Sequence, residues 1–136
     1  MSNQSSDPFS SPSSKVFNLT EKDFKGQVII NKKLSNGICN IMFFANWCPH
    51  CIVAKPIYDK VSRIKMGNSE NPNVYFAVID CTNNSPFNDK LKNSLQIAGY
   101  PTIVQYNNGK YSRAYEFKIS EIPLLKFVVG TENYTS

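Results

Sequence analysis

Two cysteines separated by two residues lie in the run Phe43-Phe44-Ala45-Asn46-Trp47-Cys48-Pro49-His50-Cys51. Sulfurs at that spacing can close a disulfide, exchange it with another thiol, or hold a metal ion. The flanking sequence favours exchange. Residues 38–45, interrupted only by Asn40, are rich in β-branched and aromatic residues and apolar on both faces, as a buried central strand requires. After Trp47, Ile52, Ala54, Ile57, Tyr58, Val61 and Ile64 recur at three-to-four spacing, which predicts a helix to about Met66, closed by Gly67-Asn68. The cysteine pair therefore opens a helix directly after a strand. There the first backbone N–H groups lack partners and the dipole is positive, so a thiolate at Cys48 is favoured. Pro49 suits the first turn, where its missing N–H costs nothing. His50 adds an imidazole that supports the thiolate when protonated. Cys48, at the exposed tip of the turn, is expected to attack; Cys51, one turn in and partly covered, is expected to resolve the mixed disulfide.

Zinc is the competing chemistry of such a pair. A structural zinc site draws four ligands, normally from two short-spaced pairs, whereas Cys39 and Cys81 each stand alone and His50 lies badly between the cysteines. No metal and no bound cofactor are expected. Cys39 opens the central strand and Cys81 follows the next one. Their sulfurs should lie near opposite sheet edges, roughly 15–20 Å apart at 3.3 Å per residue, too far to bond. Both read as small buried or half-exposed thiols.

The surrounding elements follow from local pattern. Residues 1–14 are Ser/Pro-rich with almost no aliphatics and read as a flexible tail, 15–130 as one domain and 131–136 as a C-terminal tail. Residues 16–19 form a short strand, and Thr20 with Glu21 and Asp23 resembles a helix start. Residues 27–34 fit either the end of that helix or a strand. Residues 74–79 read as a second buried strand closed by Asp80, 82–88 as a loop and 89–95 as a short helix. Residues 102–106 and 111–117 are strands joined by Asn107-Asn108-Gly109-Lys110, a hairpin signal. Ser120 caps a last helix with Pro123 in its first turn and Leu124, Leu125, Phe127 and Val128 inward. Pro56 inside the long helix should kink it. Phe43, Phe44, Tyr75 and Phe76 are expected in the core, and Tyr58 is assigned to helix packing. The order β-α-β-α-β-α-β-β-α predicts parallel crossovers with an antiparallel edge and helices on both sheet faces.

With 136 residues the chain fits one domain with its own core. Lys and Arg number 15 against 10 Asp and Glu, a formal +5. The lysines are dispersed and the arginines are only Arg63 and Arg113, which argues against a nucleic-acid partner. No apolar run approaches membrane-spanning length. The first residues lack a secretory signal and the last lack a retention signal, so the cytoplasm is the expected compartment.

Phe44-Ala45-x-Trp47-Cys48-x-His50-Cys51, Pro56 five residues on, Val78-Ile79-Asp80, and Gly99-Tyr100-Pro101-Thr102 before Ile103-Val104 together resemble the thioredoxin superfamily, and within it the catalytic domains of protein disulfide isomerases. The likeness covers roughly residues 16–130. It implies a thioredoxin fold of the α/β class, with a mixed central sheet of four to five strands. It also implies a thiol–disulfide oxidoreductase acting on protein or peptide thiols and disulfides, recycled by an outside reductase or oxidase, and a monomer. Carried over, Pro101 is cis and faces the cysteines, with Trp47, Tyr100, Pro101 and Thr102 lining the peptide groove. Three departures stand out. The dipeptide between the cysteines is Pro-His. Met42 occupies the position of the family's buried acid, and Val78 that of a lysine often paired with it. Losing both charges together is coherent, because one alone would be a costly buried charge. Cys51 is then expected to deprotonate more slowly, with His50 or water as base. A non-catalytic binding module on the same fold is the alternative reading, and the intact cysteine pair counts against it.

Overall fold

The computed structural model describes residues 7–66 and 73–130. Along these run β1 (Phe17–Asn18), β2 (Phe24–Lys25), β3 (Val28–Ile29), β4 (Ile38–Phe44), α1 (Pro49–Lys65), β5 (Val74–Asp80), α2 (Pro86–Leu95), β6 (Thr102–Asn107), β7 (Lys110–Ala114) and α3 (Glu121–Phe127). The main sheet has the order β1-β5-β4-β6-β7, with β1, β5 and β4 parallel and β6 and β7 antiparallel; β2 and β3 pair separately. This is the mixed thioredoxin fold that the motifs implied.

Alternation along the central strands splits the core in two. Met42, Phe44, Phe76, Val78 and Ile103 face α1 and α3, whereas Ile41, Phe43, Ala77, Ile79 and Val104 face α2. Helices thus cover both faces, as the alternating strand and helix pattern predicts. Phe43, Phe44 and Phe76 are buried and Tyr75 is half-buried. The phenol of Tyr58 donates to the carbonyls of Asn40 and Ala77 across the sheet, so its role is packing. At the far edge, Asn108 and Gly109 take positive φ and close the hairpin between β6 and β7 at the expected place.

Four local expectations change. First, the helix expected after Thr20 is a single 3-10 turn (Glu21–Asp23), held by reciprocal bonds between Thr20 and Asp23. Phe24 is already extended, and Gly26 at φ 62° turns the chain back, so residues 24–29 become the β2–β3 hairpin. Second, α2 starts at Pro86, with Ser85 accepting from the Asn88 amide, so the loop before it is shorter than expected. Third, β7 ends at Ala114 rather than 117. Fourth, the stretch 1–14 is not a bare tail where it is described. A 3-10 turn (Pro8–Ser10) packs Phe9 against Phe44 and Tyr58, with ring centroids 6.0 and 6.2 Å apart. One aromatic ring supplies the burial that the composition lacked. The helix-closing pair Gly67-Asn68, the first six residues and the tail 131–136 lie outside the described residues.

The apolar stripe of α1 keeps Ala54, Tyr58 and Val61 of the expected set, with Ile57 half-buried against the core, but is shifted at its edges. Its buried residues are Cys51, Ala54, Lys55, Tyr58, Val61 and Ser62, while Ile52 and Ile64 are exposed. Burying Cys51 fixes the phase, because residues three, four and seven positions on must then face inward. The helix continues through Pro56.

Candidate active site

The site forms where β4 delivers the chain to α1. Cys48 is the N-cap residue of α1, with extended backbone, its amide bonded to the Ala45 carbonyl at 3.1 Å and its carbonyl accepting from the Cys51 amide at 3.0 Å. Pro49 holds the first helical position as expected. Cys48 and Cys51 approach to within 3.6 Å, and all four cysteines are free thiols. Their exposure corrects one expectation. Cys48 is not at an exposed tip: only 8% of it is accessible, because the cis loop covers it, while Cys51 is fully buried. Of the pair, Cys48 is the more accessible sulfur.

The covering loop is the one that the sequence places opposite. The Tyr100–Pro101 bond is cis, and the Cys48 thiol donates to the Tyr100 carbonyl at 3.5 Å. Thr102 begins β6 opposite Phe43 and turns its hydroxyl to the Gly99 carbonyl at 2.7 Å, which pins the loop. Trp47 is 64% exposed, packs edge-on to Tyr100 at 5.8 Å, and donates its indole N–H to the Thr82 carbonyl at 3.1 Å. His50 is exposed and lines a groove of about 390 Å³ with Val53, Ala54, Pro101, Lys118 and Ile119. Trp47, Cys48, Cys51, His50, Tyr100 and Pro101 are thus gathered at one end of the sheet.

Burial pushes the Cys51 thiol up to about 11; the neighbouring Cys48 adds to the rise, while a backbone hydrogen bond from Ala45 and the charge of Lys55 act against it. Cys39, at the other end of β4, is pushed up to about 12 by burial and by Asp23, as expected of an inert core thiol. Cys81 is also buried and raised by desolvation, against the opposing pull of Tyr100 and Lys92. Cys39 pairs in register with Tyr75 and Cys81 follows Asp80, so the two thiols stand at opposite ends of the β4–β5 ladder. Among the described residues no three His, Cys, Asp or Glu side chains converge as a metal-holding group, and no helix is long and apolar enough to cross a membrane.

Sequence reasoning missed three supporting groups. Thr82 braces the cysteine loop, accepting from the Asn46 amide at 2.9 Å in addition to its bond with Trp47. Lys92 donates to the Tyr100 hydroxyl, which in turn bonds Cys81. Lys55 is 6% exposed and lies over the Phe44 ring. Only Lys55 carried a local signal, as a cation one turn beyond Cys51 on the face that Cys51 commits to the core.

Comparison with known proteins agrees with this arrangement. The thioredoxin family model matches residues 15–129. The chain is 30% identical over 98 residues to a thioredoxin domain-containing protein 5 homolog of Drosophila melanogaster, covering 72% of this chain and 23% of the relative. It is 32% identical over 98 residues to protein disulfide-isomerase 1 of Caenorhabditis elegans, covering 72% of this chain and 18% of the relative. It thus spans about a fifth of such relatives. Among solved structures, human ERp44 in its zinc-bound form superposes with a TM-score of 0.67 at 24% identity, over 85% of this chain and 29% of that one. The first two thioredoxin domains of Naumovozyma dairenensis Eps1p also give 0.67, at 22% identity, over 87% and 41% of the respective chains. The chain belongs to the thioredoxin family, with relatives among the protein disulfide isomerases.

Proposed function

We propose that this protein exchanges disulfides with protein substrates through the Cys48-Pro49-His50-Cys51 dithiol. Cys48 thiolate attacks a substrate disulfide, forming a mixed disulfide and releasing one substrate thiolate. Cys51 then attacks Cys48, closing the internal disulfide and releasing the second substrate thiolate. Two electrons pass from the dithiol to the substrate, and an outside dithiol partner restores them; oxidation of a substrate dithiol runs the same steps backwards. Direction depends on the poise of the compartment and on the recycling partner.

One observation carries this reading: two free thiols within 3.6 Å at the start of a helix, the outer one aimed at the Tyr100 carbonyl beside exposed Trp47. An extended substrate strand could lie along this edge, its backbone beside the loop and its side chains against Trp47 and the His50–Pro101 groove. The test is trapping. With Cys51→Ser, mixed disulfides to Cys48 should accumulate on incubation with a disulfide-bearing protein such as insulin; with Cys48→Ser none should form at position 51. Turnover of insulin disulfides undiminished in Cys48→Ser would overturn the proposal and favour the non-catalytic binding module.

A further inference from the structure

Cys51 must lose a proton to resolve a mixed disulfide, yet among the described residues no carboxylate acts on it directly. Strand β4 presents Met42 and Phe44 to its side of the core, and β5 presents Val78. His50 is exposed on the groove and does not figure among the groups acting on Cys51. The charged group that does is Lys55, four residues on along the same buried face of α1.

A lysine is rarely this buried, and here every contact holds its ammonium in place. Its Nζ donates to Asn46 Oδ1 at 2.8 Å, pairs with Asp7 Oδ1 at 3.3 Å, and lies 4.4 and 5.5 Å from the ring centroids of Phe44 and Phe9. Three of these four partners belong to two segments that meet at Lys55, where Phe9 also packs on Phe44. Asn46 is part of the loop entering the cysteines, while Asp7 and Phe9 come from the N-terminal 3-10 turn. Asp7 also accepts from the Phe9 amide at 3.0 Å, so its carboxylate is aimed rather than loose.

We propose that Lys55 is a positioning residue of the exchange site, a fixed cation that favours the Cys51 thiolate, and that Asp7 of the N-terminal segment moderates it. The proposal rests on the Cys48–Cys51 exchange reading above. The step it assists is the second one: the Cys51 S–H proton passes to water, the Cys51–Cys48 bond forms, the Cys48–substrate bond breaks, and the substrate sulfur leaves as thiolate. The groups whose charge or hydrogen bonding bears on Cys51 are Cys48 from the helix cap, Lys55 one turn on along the same buried face of α1, and the backbone of Ala45. Asp7 reaches the site through Lys55.

The two halves of the ion pair therefore act with opposite sign, which a purely structural role would not produce. In stopped-flow reaction with an aromatic disulfide, dithiobis(nitrobenzoate), the first thionitrobenzoate reports attack by Cys48 and the second reports attack by Cys51. Lys55→Met should slow the second phase about threefold at pH 7 and displace its pH profile upward, because the rarer thiolate is also the more nucleophilic one. Lys55→Arg should retain the wild-type profile. Asp7→Asn keeps the acceptor for the Phe9 amide and removes only charge, so it should speed the second phase about two- to threefold. Should Lys55→Met fail to fold, Asp7→Asn decides alone: acceleration supports the proposal, while no change or slowing overturns it. An unchanged second phase in folded Lys55→Met, or slowing in both variants, also overturns it. Absence of any second phase in the wild-type protein would instead defeat the exchange reading.

Discussion

The thiol of Cys48 donates to the carbonyl of Tyr100 across 3.5 Å, joining two segments 52 residues apart in sequence. Neither segment makes a site alone. The helix cap supplies the sulfur; the loop before β6 supplies the backbone carbonyl that faces it. Trp47 completes the contact by packing on Tyr100 from outside.

That exposed indole gives the first prediction. Trp47→Ala removes an aromatic contact worth about 1 kcal/mol, so KM for a protein disulfide should rise about fivefold. Trp47→Phe, which keeps an aromatic ring but loses the bond to the Thr82 carbonyl and part of the contact area, should fall between wild type and Trp47→Ala. Steady-state insulin reduction measures both, and an unchanged KM in Trp47→Ala would remove Trp47 from the substrate surface.

The buried thiols set an alkaline limit to stability. An ordinary thiol titrates at 9.0, but Cys51 and Cys39 hold their protons in the fold to about 11 and about 12. Below pH 9 both states keep these protons. Above it the unfolded chain loses them first, so stability falls as pH rises, by up to about 1.4 kcal/mol per pH unit for each such group. Urea midpoints should decline from pH 9 towards 11, and Cys39→Ala should flatten that decline. A midpoint independent of pH across this window would contradict the assigned direction.

Asn40 docks α3 to the sheet. Its Nδ2 donates to the Val128 carbonyl at 3.0 Å and to Tyr75 at 3.3 Å, and its Oδ1 accepts from Gln105 at 3.0 Å. Gln105 also donates to Phe127 and accepts from Arg113. Asn40→Ala leaves buried groups without partners, which costs about 2–3 kcal/mol. Urea denaturation should read that loss, and hydrogen exchange should locate it in α3.

Phe9 ties the N-terminal segment to α1. It is 7% exposed against Phe44 and Tyr58, and Arg63 holds the Ser13 carbonyl at 3.2 Å farther along. Phe9→Ala should destabilise the protein by about 2–3 kcal/mol, near the lower end for aromatic truncation because the ring sits at the margin of the core. A loss below about 0.5 kcal/mol in urea denaturation would mean that the segment is only draped over the surface.

Much of this protein was legible from short-range pattern. The apolar run in β4, the cysteine pair that follows it and the hairpin at Asn108-Gly109 are each local statements about burial or backbone conformation, whereas the cis bond before Pro101 was implied by the family resemblance. Local signals survive folding because no distant contact competes with them. The α1 stripe was legible in part: Ala54, Tyr58 and Val61 are buried as expected and Ile57 packs on the core, but hydrophobicity alone also favours Ile52 and Ile64, which are exposed, over Cys51, Lys55 and Ser62, which are buried. Burial of a lysine and a serine is decided by partners on other elements.

From the amino-acid order alone came the family motif, the central strands and the pair of sulfurs. Tertiary structure decided how little of Cys48 is open, which face of α1 is buried, and that the Ser/Pro-rich beginning of the chain carries an acid to the back of the site. These depend on contacts between segments far apart in sequence. Asp7 and Lys55 acquire meaning only when a 3-10 turn and a helix meet, because an ion pair at 3.3 Å is a property of two positions in space and of neither residue type.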